Sequence, residues 1–581
     1  MINYVVFVFI IASLVFYVRI AWKIRHESLK TSDDYYLAKG TVRPSQFAVT
    51  QTAYQLQMAT IYPFFLFAFL GSWWIGIVND VGYILGILIY FVLLPLFSRG
   101  SANIVGKSST VHAAIANLHS FPRLRQLTAW MTVIAFSGLA AFEITWGSRV
   151  FRVLFDGGDS VYYLAIATLA LYLVLYVWAG GQRANITSAQ YRLFFAYAGL
   201  HSLVAWFAWH DGVTFGGAPF AVLVPAIVVF SAAMLFIRMR IGQQDQPRYL
   251  KNLNILTIVS LLVMLAGIVP KLSTLHLSLV NTVLPTITSD PSFWWAALSV
   301  GLLPLFFQFV DTSNWQRLTS LITNPANRVI EARKGLRQYL IESPLSWLLP
   351  IFIGLCAAQF LTIPKDGEPW DELLRAVLNS NGLVQIFLPI VVFVGVVAIF
   401  MSTAEDFLTT VGYVYAYDLS RRSRLIARRS ETSKNESAEA IAKKNESDEA
   451  LVKKTGRAAM SVATAIVVIG FIVGDLFFGG SGKVLIGLFL AFYAPLVALA
   501  PSLVVPAVTG RVAHKSFVLM SLGLGALSGF FFGVVSLFFP SAFGGNVTWF
   551  GSLAAFGVSW VFYLVGLIGG TKITAGPSDV R

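Results

Sequence analysis

Five acidic side chains interrupt stretches that are otherwise apolar, and in hydrocarbon each needs a function or a partner. They are Asp80, Glu143, Asp311 and the adjacent pair Glu405 and Asp406. Asp80 stands near the start of its run, where interfacial water can hydrate it. Glu143 lies deeper, in Ala141-Phe142-Glu143-Ile144-Thr145-Trp146-Gly147. It is read either as a contact for substrate or ion, or as half of an internal salt bridge with Arg149 or another span. Neutral polar groups break the pattern at two further places. In Thr52-Ala53-Tyr54-Gln55-Leu56-Gln57-Met58-Ala59-Thr60, two glutamines and two threonines stand among apolar residues, and Pro63 follows. A helix unwound there frees backbone carbonyls, which can coordinate an alkali cation at the membrane midplane; otherwise the amides bond a neighbouring helix. In Ile399-Phe400-Met401-Ser402-Thr403-Ala404-Glu405-Asp406, positions 399, 402 and 403 share one helical face, so one carbonyl and two hydroxyl oxygens can converge as part of a cation site. The competing reading has both hydroxyls bonding back to their own helix.

The elements that must position these groups follow from composition. Of 581 residues, 57% are hydrophobic and 12% charged, with a mean hydropathy of +0.72. That excludes an ordinary soluble domain, in which about 25% of residues are charged. Apolar runs of spanning length are predicted near 3–22, 46–70, 74–98, 127–148, 160–180, 190–209, 218–238, 253–271, 293–311, 344–364, 383–414, 458–478, 484–508, 515–538 and 548–570, about fifteen spans at roughly 20 residues each. The net charge of +14 does not point to nucleic acid, because the basic residues collect in alternate loops, as expected for cytoplasmic ones. Placing the N-terminus outside puts Lys23, Arg25 and Lys30 inside, then Arg99 to Arg125, Arg183, Arg238 to Arg248, Arg328 to Arg337, Arg421 to Arg429, and Arg511 with Lys515. The C-terminus is then cytoplasmic, and an integral protein of the plasma (inner) membrane is expected.

The first run lacks a basic leader and is read as a retained helix rather than a cleaved signal. The one sizeable polar segment, 421–457, is expected as a solvated, partly helical cytoplasmic loop. Gly479-Gly480-Ser481-Gly482-Lys483 fails as a phosphate loop, since Phe477 and Val484 stand where a glycine and a hydroxyl residue belong. Asn-x-Ser at 435 and 445 is on the cytoplasmic side of this topology. Cys356 is the single cysteine, and the seven histidines lack metal-ligand spacing. With no nucleophile and base arrangement visible, an enzyme is not expected, nor is a cofactor.

These residues resemble the sodium/solute symporter family, which includes the sodium/proline, sodium/glucose and sodium/pantothenate carriers. Asp34-Tyr35-Tyr36-Leu37-Ala38-Lys39-Gly40 resembles the family's DYFLAGR stretch, and Ala53-x-Gln55-Leu56 its unwound ion-binding turn. Val177-Trp178-Ala179-Gly180-Gly181-Gln182-Arg183-Ala184 resembles the glycine pair before the fifth core helix. Val310-Asp311-Thr312-Ser313-Asn314-Trp315-Gln316-Arg317 is similar to VDQxxWQR, and Met401-Ser402-Thr403-Ala404-Glu405-Asp406 to MSTADS. The resemblance covers roughly residues 30–420. It implies an all-α polytopic protein with a five-plus-five inverted-repeat transporter core and additional helices, the first and sixth core helices being broken. It implies sodium as coupling ion, held by the carbonyls of Ala53, Leu56 and Ile399 and the hydroxyls of Ser402 and Thr403. It points to Gln55, Gln57, Thr60, Glu143, Gln308 and Asp311 as substrate contacts.

The expected organisation is an N-terminal additional span (1–30), the first part of the core (31–217), an additional span pair (218–272), the second part of the core (273–420), the polar loop (421–457), and C-terminal spans with a short tail (458–581). Two departures stand out: the span pair itself, and Asn185-Ile186-Thr187-Ser188-Ala189-Gln190, where the family has WTD and this chain has no carboxylate. The expected function is sodium-coupled uptake of a small polar organic solute by alternating access, with solute, sodium and membrane lipid as partners. The alternatives are a proton-coupled or uncoupled carrier and, because no catalytic domain follows Gly570, less readily a membrane sensor. Neither the solute nor the oligomeric state is legible.

Overall fold

The computed structural model describes residues 2–28, 31–38, 40–98, 110–241, 248–275, 293–321, 327–364, 367–380, 384–420, 438–478, 482–539, 541 and 547–573. Helix α1 (Ile2–Ser28) precedes a short α2 (Ser32–Tyr36). Thr31 and Asp34 start α2 with a reciprocal cap, each side chain accepting the other's backbone N–H, at 3.1 and 2.9 Å. The first repeat then runs through α3 (Pro44–Gln55) and α4 (Met58–Phe69), α5 (Trp74–Leu93), the short α6 (Val111–Leu118), α7 (Arg123–Leu154) and the long α8 (Asp159–Trp209). Helix α8 is two spans joined at Gly181, whose φ of 55° and ψ of −155° bend the chain. Only glycine adopts that φ without strain, and a Cβ there would also strike the Tyr35 backbone oxygen.

Helices α9 (Ala218–Ile241) and α10 (Arg248–Ile268) follow as a pair packed on α8 and α14. The second repeat comprises α11 (Phe293–Leu302), α12 (Phe307–Val310), α13 (Thr312–Ser320), α14 (Arg328–Phe360), the short α15 (Pro369–Leu378), α16 (Val384–Val414), α17 (Ala438–Phe478) and α18 (Gly482–Thr509). Both repeats open on a broken helix, and both carry a short helix between their second and third spans, α6 in one and α15 in the other. Helices α19 (Lys515–Phe538) and α20 (Val547–Gly566) complete the bundle, clasped by strands β1 (Arg511–Val512) and β2 (Thr571–Lys572) in antiparallel register.

Thirteen of the described helices are long and apolar enough to cross a membrane. The bent α8 counts as two spans, and the α3–α4 unit, whose halves are 12 residues each, adds another. The total agrees with the fifteen runs expected from hydropathy. The chain is an all-α polytopic membrane protein with an inverted-repeat fold of five plus five spans and additional helices. On α9 and α10, Val229, Phe236, Met239, Ile255, Leu262 and Val263 are exposed, as on a hydrocarbon-facing edge. The pair is anchored inward by a buried Arg238–Glu342 ion pair.

Residues 421–437, with the Arg421 to Arg429 cluster and the first sequon, lie outside the described residues, as do 479–481. The segment expected to be polar to 457 is helical from Ala438 onward. It docks on α2 through Tyr36 Oη, which donates to the Lys453 carbonyl at 3.2 Å, and through Arg457 over the Tyr35 ring at 4.5 Å.

Candidate functional site

The break between α3 and α4 follows from the backbone of Leu56 (φ −81°, ψ 78°) and Gln57 (φ −115°, ψ 148°). In a continuous helix the N–H groups of Met58, Ala59 and Thr60 would bond the carbonyls of residues 54, 55 and 56. Instead Met58 and Ala59 donate to the two oxygens of Glu143, at 3.0 and 2.8 Å, and Thr60 donates to the Gln57 carbonyl at 3.0 Å. A carboxylate at a helix N-terminus satisfies orphan donors and sits favourably in the helix dipole. Glu143 is wholly buried and has this partner rather than Arg149, which pairs with Asp371 at 3.5 Å. On α15, outside the spans, burial pushes the Asp371 carboxyl up against the opposing pull of Arg149.

Carbonyls freed at the break meet α16. Ser402 Oγ donates to the Ala53 carbonyl at 2.7 Å, and Thr403 Oγ1 to the Tyr54 carbonyl at 3.1 Å. The hydroxyls therefore reach across to another helix and do not bond back along their own. Leu56 and Ile399 are buried on the same two elements. Every oxygen gathered here is neutral, carbonyl or hydroxyl. That donor set fits an alkali cation, whose hydration shell such dipoles replace, better than a transition metal, which favours nitrogen, sulfur or carboxylate ligands. No cluster of three or more His, Cys, Asp and Glu suited to a metal occurs among the described residues.

The second break lies between α12 and α13. Asp311 caps α13, its Oδ1 accepting from Ser313 N at 2.8 Å and from Ser313 Oγ at 2.7 Å. Gln308 Oε1 accepts from Asn314 Nδ2 at 2.8 Å, and Asn314 also pairs with Gln51 of α3. The two broken helices are thus tied through their polar residues.

Between them opens a cavity of about 70 Å³. Gln55, Gln57 and Thr60 line it. Glu143, Gln308 and Asp311 do not: Glu143 is turned toward the α4 N-terminus, Gln308 toward Asn314, and Asp311 toward α13. Helix α7, which carries Glu143, supplies none of the lining residues; α5, α14, α18 and α20 supply Asn79, Tyr83, Trp347, Tyr493 and Trp549. Sequence reasoning missed these five. Only Asn79, a polar residue inside an apolar run, carried a signal. Asp80, expected at a hydrated interface, is 4% exposed and its Oδ1 has no hydrogen-bond partner.

One turn beyond Thr403, Glu405 pairs with Arg192 and Asp406 with Arg317, all four side chains buried. Asn185 bridges the pairs: its Nδ2 donates to Asp406 Oδ1 at 2.7 Å and its Oδ1 accepts from Arg192 Nη2 at 2.8 Å. Arg192 also donates to the Met401 carbonyl at 3.1 Å. The region of α8 that lacks a carboxylate in sequence therefore faces two carboxylates from α16.

No family model matches the sequence, and no curated protein matches it. Among solved structures the chain is similar to a Na⁺-coupled sialic acid symporter in a substrate-bound outward-open state, with a TM-score of 0.59 and 12% identity over 98% of each chain. The likeness is one of fold, an all-α bundle of two inverted repeats with additional helices.

Proposed function

We propose that the chain is a secondary active transporter, taking up a small polar organic solute with sodium by alternating access. One observation carries the reading: the Ser402 and Thr403 hydroxyls converge on the Ala53 and Tyr54 carbonyls where α3 gives way to α4. In this reading sodium is bound by the carbonyls of Ala53, Leu56 and Ile399 with the two hydroxyls. Gln55, Gln57 and Thr60 contact the solute in the adjoining cavity. Glu143, Gln308 and Asp311 act as positioning residues, holding the half-helices in register while solute and ion bind. The two sites share α3 and its broken end, so filling one orders the backbone that the other uses, and their affinities are coupled. The protein sits in the plasma (inner) membrane with its N-terminus outside and its C-terminus cytoplasmic, in contact with lipid and without nucleic acid.

A second reading, a proton-coupled carrier of the same fold, is favoured by Asp80, a buried carboxyl within a span whose Oδ1 lacks a partner. Uptake into proteoliposomes separates the two. A panel of labelled solutes that includes sialic acid, the substrate of the structural relative, is measured with an inward sodium gradient, with a proton gradient and with neither. Sodium-driven accumulation abolished by replacing sodium with potassium is the expected result. Accumulation that ignores sodium and follows the proton gradient transfers the coupling role to a carboxyl group such as Asp80.

A further inference from the structure

The cavity between the broken helices is lined by aromatic rings, aliphatic side chains and a few uncharged amides or hydroxyls. Among its described lining residues there is no Asp, Glu, Lys, Arg or His. Glu143 of α7, at the N-terminus of α4, has both oxygens engaged by the Met58 and Ala59 N–H groups. The ions of the lower cluster are consumed by one another. A carboxylate entering the cavity would lose its hydration with no cationic side chain of the lining to replace it, and burying an unpaired charge is far costlier than burying a neutral polar group.

The rings stand in three groups. Tyr83 and Trp347 lie with centroids 4.2 Å apart and planes at 33°, Tyr493 packs on Phe307 at 5.3 Å, and Phe67 on Trp549 at 5.8 Å. Such walls favour a solute with a flat face. The amides supply the edge. Gln55 Nε2 and Gln57 Oε1 are buried without a hydrogen-bond partner, one donor and one acceptor, in residues that are 2% and 4% exposed. Gln57 Nε2 reaches Tyr493 Oη only at 3.5 Å. Buried polar atoms are rarely left unmade, and here a bound molecule would complete them.

We propose that the solute is an uncharged ring compound, held face-on against the aromatic rings and edge-on by the amides of Gln55 and Gln57. The inference rests on the transporter reading but concerns only what the cavity accepts. Two chemistries meet this description, a planar heterocycle with in-plane N–H and C=O groups and a pyranose with an apolar face.

The test uses the full chain in lipid nanodiscs with sodium present. Thermal stabilisation and tryptophan fluorescence are titrated with the matched pairs uracil and orotate, and glucose and glucuronate, and with choline as a cation. At least one neutral ring should bind, and its carboxylate partner should bind at least tenfold more weakly. Gln57→Ala should weaken that binding by about three- to tenfold, the loss of one neutral hydrogen bond. Thr60→Val serves as a second probe if the first variant folds poorly. Binding of uracil separates the heterocycle source from the sugar source. The proposal is overturned if a carboxylate or choline binds as tightly as its neutral counterparts, if no neutral ring binds, or if both variants bind like the parent. Binding without proteoliposome uptake would defeat the transporter reading alone, whereas driven uptake of a charged solute would defeat only this one.

Discussion

Two successive turns of α16 meet the same neighbouring bundle with opposite chemistry. In the upper turn Ser402 and Thr403 offer hydroxyls to the Ala53 and Tyr54 carbonyls; in the lower, Glu405 and Asp406 are locked to Arg192 and Arg317. A hydroxyl rotates about its C–O bond, so a cation arriving between the oxygens turns donors into ligands and costs only two neutral hydrogen bonds. An ion pair has no such freedom. Separating it in a water-free interior leaves two unpaired charges, each costing several kcal/mol. The neutral turn is therefore suited to exchange its partner in every cycle, and the charged turn to keep its partners. The ledger of charge also matters to the proposed sodium: two arginines lie near it, but each is matched by a carboxylate, so their net field is small.

The sharpest way to break this comparison is to unpair the lower turn. Asp406→Ala leaves the Arg317 guanidinium buried without its carboxylate and should destabilise the fold by about 3–5 kcal/mol. Unfolding in detergent, followed by helical signal, measures it. The paired replacement of Arg317 by Met and Asp406 by Leu removes both charges and should recover most of that loss. If the double variant is as unstable as the single one, burial of an unpaired charge is not what the lower turn guards against.

The upper turn predicts a smaller effect of a different kind. Ser402→Ala or Thr403→Ala removes one neutral oxygen from the proposed shell and should weaken sodium binding by roughly ten- to a hundredfold, as a contact to a charge worth about 1.5–3 kcal/mol requires. Solute affinity should weaken at limiting sodium and recover at high sodium, while thermal stability changes little. Wild-type sodium dependence in both variants would remove the ion from this turn.

The sequence revealed the two turns unequally. Ser402 and Thr403 were legible because their spacing with Ile399 is a local helical property. Glu405 and Asp406 were legible as costly charges, but their arginine partners are 213 and 89 residues away, and no local period encodes such pairing. The same limit hid the partner of Glu143, two backbone N–H groups freed by a break 84 residues upstream. Amides at 55 and 57 announced the break itself, since polar groups in an apolar run need an outlet. Trp347 and Tyr493 gave no sign, because an aromatic residue that lines a cavity has the same composition as one that fills a core.

Gly181 sharpens the comparison from the side. Its positive φ turns α8 so that Asn185 and Arg192 reach the lower turn of α16, with Ser188 bonded to Arg192. Gly181→Ala should cost about 1–2 kcal/mol from φ alone, with more added by the contact of the new Cβ with the Tyr35 backbone. The loss should fall on stability rather than on sodium affinity, measured by the same unfolding and titration experiments. A shift in sodium affinity with unchanged stability would mean that the bend positions the neutral turn instead.

The smallest expected effect tests whether burial, and not ion pairing as such, gives the lower turn its weight. Lys334 and Glu331 form an ion pair at 2.6 Å on α14, three residues apart, with the lysine side chain 59% exposed. In water each charge keeps most of its hydration when the pair parts, and salt screens what attraction remains. Lys334→Ala should therefore change stability by about 0.2–1 kcal/mol at most, less at high ionic strength. Unfolding of this variant beside Asp406→Ala, at low and high salt, supplies the check. If the exposed pair costs as much to break as the buried one, the contrast between the two turns of α16 cannot be attributed to desolvation, and the weight of the lower turn must lie in the bridging network around Asn185.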